Sequence, residues 1–81
     1  MKPNNTNAGY EMVMYETYNC DAANDYHIVL MRSRKTGNYV TWGCTNADNF
    51  YWGHYFTSFV SAKLDYHERL AQEYRRRIEN E

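Results

Sequence analysis

A chain of 81 residues is one domain with a modest core. Its net charge of −1 and pI of about 6.3 exclude a strongly basic nucleic-acid module and a highly acidic mimic of the nucleic-acid backbone. No run approaches the roughly 20 apolar residues of a membrane span, and the start, Met1–Asn7, is polar with no apolar signal region, so a cytoplasmic protein without membrane contact is expected.

Residues 1–9 are polar, rich in Asn and end in Gly9, which reads as a flexible N-terminal arm ahead of a single α+β domain over 10–81. The first strand signal runs from about Tyr10 to Asn19, rich in Tyr and Met with β-branched residues. Asn19–Asp25 reads as a loop, since Asn and Asp favour turns. A second strand covers about Tyr26–Ser33, and a third Tyr39–Cys44, with a hairpin turn around Arg34–Asn38. A β-branched residue resists positive φ, so a three-residue loop, Lys35-Thr36-Gly37, is preferred over a two-residue turn at Thr36-Gly37. That loop pairs Leu30 with Trp42 and Ile28 with Cys44. One face then holds Ile28, Leu30, Val40, Trp42 and Cys44, the other His27, Val29, Met31 and Tyr39. Phe50–Phe56 reads as a short fourth strand in which Gly53 marks a bulge, in preference to an aromatic loop packed under the helix.

From about Ser58 to Asn80 the pattern is helical, with Thr57 or Ser58 as N-cap. Phe59, Ala62, Tyr66, Leu70 and Tyr74 recur at three- and four-residue steps and form the apolar face. Val60, His67 and Ile78 flank it, while Asp65, Glu68, Gln72 and Arg76 are placed opposite. The expected architecture is α+β: a small antiparallel meander of three or four strands packed against one long C-terminal helix.

Chemistry-bearing patterns are few. Cys20, Cys44, His27, His54 and His67 share no metal-ligand spacing, so neither metal nor cofactor is expected. Cys20 and Cys44 read as separate thiols, because their strands lie two apart in a meander. There is no nucleophile elbow, no supported Cys–His pair and no Gly-rich phosphate loop, so catalytic residues are expected to be none and the protein not to be an enzyme. The remaining signal is aromatic: nine Tyr, two Trp and three Phe in a short chain, side chains that serve both cores and contact surfaces.

Those features make a binding protein the expectation, with contact to a protein target ranked first. The alternative is a single-stranded nucleic-acid or small-nucleotide module, with aromatics stacking on bases and arginines on phosphate. The candidate surface follows from the run Ile28–Met31, whose apolar side chains load both faces of a strand while one helix covers only one. Val29, Met31 and Tyr39 are then left outside, extended by Tyr51, Trp52 and Tyr55 and rimmed by Arg32, Arg34 and Lys35. Either a second copy or the target covers that face, or the N-terminal arm or first strand folds over it.

In length, in one sheet with one helix, and in richness in Asn and Tyr, the chain resembles the small accessory proteins of phages and mobile elements, the anti-CRISPR and anti-defence type. The residues that carry the resemblance are the strand pair YHIVLMRSRKTGNYVTWGC, Tyr26–Cys44, and the segment NFYWGHYFTSFVSAKLDYHERL, Asn49–Leu70. The resemblance implies a non-catalytic inhibitor of a host defence component, working in the host cytoplasm by binding. The slight negative charge departs from the strongly acidic members that mimic DNA.

Overall fold

A computed structural model describes residues 1–19 and 25–79. Among these there are five strands and one helix: β1 (Thr6–Asn7), β2 (Tyr10–Asn19), β3 (Asp25–Ser33), β4 (Tyr39–Thr45), β5 (Asn49–Phe56) and α1 (Phe59–Glu79). The strands form one antiparallel sheet in chain order. The α+β class and the meander are as the pattern implies. The fifth strand is the two-residue β1, inside the segment expected as an arm. Cys20, and with it most of the loop read between the first two strands, lies outside the described residues.

The β3–β4 register differs from the expected one by a single residue. Arg32 pairs with Tyr39, Met31 with Val40, Val29 with Trp42 and His27 with Cys44. The cause lies in the turn. Gly37 has the positive φ expected of it, at 77°, but the loop has four residues, closed by Ser33 N–H donating to Asn38 O at 2.7 Å. The Ser33 hydroxyl accepts from the N–H groups of Lys35 and Thr36 at 3.2 and 3.1 Å, which caps a helical turn before Gly37. A one-residue slip carries every side chain of a strand to the other face. Val40, Trp42 and Cys44 therefore join Val29 and Met31 on one side of the sheet, and Ile28 and Leu30 stand on the other.

The molecule thus has two cores. On the helix side Tyr18, Ile28 and Leu30 pack on Ala62 and Tyr66, with Met14, Tyr39, Phe56 and Leu70 around them. On the far side Val29, Met31, Val40, Trp42 and Cys44 are buried against Tyr10, Met12 and Phe50. A bulge at Val13 lets one strand serve both: Met12 opposes Met31 before it, and Met14 opposes Leu30 after it.

The N-terminal residues close the far core. Pro3 is buried. Asn4 N–H donates to Ala47 O at 2.7 Å, beyond β4, while Met12 N–H donates to Asn5 O at 2.8 Å, and the Met1 ammonium pairs with the Asp25 carboxylate. Val29 and Met31 are 0% exposed. The expectation that they stay outside is corrected accordingly: the chain's own first residues, not a second molecule, cover them.

Ser58 caps α1, its hydroxyl accepting from Ser61 N–H at 3.3 Å. Ala62 and Tyr66 are buried as the apolar spacing implies, but so is Glu73, and Phe59 and Tyr74 are exposed. The helix is rotated relative to the expected phase, and the row Asp65, Arg69, Glu73 turns toward the sheet rather than away from it.

Cys44 is a free thiol, fully buried, with its pKa pushed up to about 11 by burial. Thiolate is the reactive species, so native protein is expected to leave Cys44 unalkylated, while denatured protein without reductant yields two thiols per chain. Peptide mapping after timed alkylation checks this; native labelling of Cys44 at the denatured rate contradicts it.

Candidate binding cleft

Between α1 and the Asp25–Thr45 end of the sheet lies a cleft of about 710 Å³. Its floor is aromatic. Tyr26 and Tyr51 stack with ring centroids 6.4 Å apart and planes at 24°. Gly43 opposite Tyr51 makes room for them, since a Cβ there would lie 2.9 Å from the Tyr51 ring and 3.2 Å from the Tyr26 hydroxyl. The Tyr51 hydroxyl bonds Thr45 Oγ1 at 3.0 Å. Burial pushes Tyr26 up to about 12, so its hydroxyl remains a proton donor.

Trp52 stands at the rim. The β4–β5 register shifts between Thr41 and Gly43, so Trp52 and Gly53 together oppose Trp42 in a bulge. Trp52 carries the positive φ of that bulge, 55°, a conformation costly for a bulky residue. Gly53 is fixed by space instead: a Cβ there would sit 2.6 Å from Trp42 Nε1. The bulge turns the Trp52 side chain outward, 76% exposed, with its ring edge-on to Tyr51 at 5.0 Å. The Arg69 guanidinium donates to Trp52 O and holds the bulge from the helix.

The helix wall is polar. Glu73 is buried, with Oε1 2.5 Å from the Arg76 guanidinium and 3.5 Å from that of Arg77. Burial pulls Arg69 down from its ordinary value, and the neighbouring Asp65 carboxylate opposes that. Asp65 ties three elements together. It accepts from the Thr41 hydroxyl at 2.5 Å, lies 3.0 Å from His54 Nδ1 and 3.4 Å from Arg69 Nε. His54, with Nδ1 committed to Asp65, lines the cleft together with Gln72. The charged side chains lining the cleft are of both signs, Asp25 and Glu73 with Arg69 and Arg76, and Asp25 is also paired with the Met1 ammonium.

The sequence-derived surface is not contiguous. Val29 and Met31 are core. Arg32, Arg34, Lys35 and Tyr39 gather at the other end of β3 and β4, with Arg32 over the Tyr39 ring at 6.0 Å and Arg34 Nε 2.8 Å from Glu11. Tyr39 leans on Phe59 at 5.3 Å. Tyr55 packs beside Tyr10 and Trp42 on the far face. Tyr51 and Trp52 alone reach the cleft. The cleft residues that the sequence did not single out are Tyr26 on the floor and Arg69 and Glu73 on the wall. The signal for the two wall residues is the four-residue spacing Asp65, Arg69, Glu73, of which Asp65 was expected on the side away from the sheet.

Among the described residues no three His, Cys, Asp or Glu side chains gather as a metal set, and no helix is long and apolar enough to cross a membrane. In comparison with known proteins the chain matches no family model, no curated protein and no solved structure.

Proposed function

We propose that the protein binds without chemistry, and that the cleft captures a planar heteroaromatic ligand of the nucleobase class. The observation that carries this reading is Trp52, a bulky residue held at positive φ so that its ring stands free beside Tyr51 at the mouth of a cleft of nucleotide size. Stacking on such rings is sequence-tolerant, and a base edge carries both donors and acceptors. Glu73, Gln72 and the Tyr26 hydroxyl offer the complement of that edge. Binding rather than catalysis is supported by the sequence, which holds no nucleophile elbow and no Gly-rich phosphate loop. In the anti-defence setting that the sequence resembles, such a protein sequesters a nucleotide; inhibition by protein contact draws instead on the exposed side chains of α1.

Titration calorimetry with nucleosides, mononucleotides, a cyclic dinucleotide and a short oligothymidine tests the reading. Saturable binding of at least one monomeric ligand is expected. Trp52→Ala is expected to weaken it roughly 5- to 150-fold, the equivalent of about 1–3 kcal/mol of stacking, with Trp52→Phe in between. Binding of the oligonucleotide alone reassigns the cleft to single strands, and no binding to any of them removes the proposal.

A further inference from the structure

The outer face of α1 carries a second pattern. Val60, Leu64, His67, Ala71, Tyr74 and Ile78 follow one another at steps of four, three, four, three and four residues. That is the spacing of a two-stranded seam, with Leu64, Ala71 and Ile78 at the a positions and Val60, His67 and Tyr74 at d. Ala62 and Arg69 fall at f, diametrically opposite, which is the side α1 turns to the sheet. The aliphatic residues of the seam are exposed, Val60 at 76%, Leu64 at 60% and Ile78 at 66%, while Ala71 is half-buried and Tyr74 sets one edge of its ring against Tyr18 of β2 at 5.2 Å. Three large aliphatic side chains in one row on a helix of 21 residues need a partner more than scattered surface residues do.

The charges beside the seam say which partner and which way round. Lys63 occupies a g position and Glu68 the following e position. In a parallel pair, g faces e of the next heptad on the other helix, so Lys63 meets the Glu68 of a second copy, twice by symmetry. An antiparallel pair centred on the helix midpoint brings e to e and sets Glu68 against its own copy. Opposite charges favour the first arrangement and like charges disfavour the second. In the parallel pair His67 meets His67, a polar layer that fixes register in an otherwise apolar seam.

We infer that the outer face of α1 is a dimerisation seam for a second copy of this chain, paired parallel through Leu64 and Ile78 and oriented by Lys63 and Glu68. The inference is independent of what the cleft binds, since the two faces lie on opposite sides of the helix.

Sedimentation velocity of the full chain from micromolar to submillimolar concentration tests it. The expected result is a concentration-dependent species at twice the 9.7 kDa chain mass. Leu64→Lys is expected to abolish that species with the circular dichroism spectrum unchanged. Ile78→Lys, a cation that suits the helix C-terminus, provides the same test should the first variant fail to fold. Lys63→Glu is expected to weaken the dimer several-fold, and the reversed pair Lys63→Glu with Glu68→Lys to restore it. A wild-type chain that stays at the single mass throughout overturns the inference. So does a dimer that survives both Lys substitutions, or one that Lys63→Glu alone tightens.

Discussion

A lysine at Val29 is expected to unfold the protein. Val29 is the middle of the central strand, paired with Tyr15 on one side and Trp42 on the other, and is 0% exposed. Its side chain lies in the far core among Met31, Val40, Trp42 and Cys44, under the N-terminal residues. A long side chain near a strand end reaches water, but one at this position does not. The side chains packed around it in the far core are apolar, and a buried, unpaired ammonium costs several kcal/mol. A small domain has only about 5–15 kcal/mol in total. Met31→Lys is expected to do the same. Far-UV circular dichroism and a urea titration read the result. A folded Val29→Lys variant with a native melting temperature would show that the first five residues do not cover this face.

That face also shows where the sequence stops being legible. The apolar run Ile28–Met31 states plainly that both sides of the strand are buried. What covers the second side is a short polar stretch whose grip comes from backbone hydrogen bonds and one buried proline, none of which leaves a hydrophobic pattern. The hairpin register turned on the Ser33 hydroxyl, which lengthens the loop by one residue. Composition says only that Ser favours turns.

The cleft was legible on its sheet side and not on its helix side. Tyr51 and Trp52 stand out as aromatics in a strand, and Gly53 announces the bulge that aims Trp52. Asp65, Arg69 and Glu73 follow the same four-residue spacing as a solvated row of ion pairs. Only the tertiary partners decide otherwise. Thr41 and His54 take up Asp65, and Trp52 O takes up Arg69, which gives the row enough internal pairing to face the sheet. Spacing records who pairs with whom along a helix but not which side of the pair meets water.

Trp42→Ala is expected to cost about 3–5 kcal/mol, the usual range for a buried Trp truncated to Ala. Trp42 is the hub of the far core, with the rings of Tyr10 and Phe50 both at 5.5 Å and that of Tyr55 at 6.3 Å. For a domain of this size such a loss lowers the melting temperature by roughly 12–40 °C. The same indole explains Gly53. Gly53 does not carry the positive φ, so its lack of a side chain serves close approach alone, and Gly53→Ala drives a Cβ to 2.6 Å from Nε1 and 3.1 Å from Cδ1 of Trp42. Overpacking of this kind costs about 1–3 kcal/mol. Phenylalanine lacks the pyrrole edge that makes the contact. In a Trp42→Phe background, Gly53→Ala is therefore expected to be milder than in the wild type, by about 0.5 kcal/mol or more. Chemical denaturation of the four proteins closes the cycle. Equal penalties in the two backgrounds would mean that Trp42 does not set the residue at 53, and that the bulge aiming Trp52 is held by Arg69 alone.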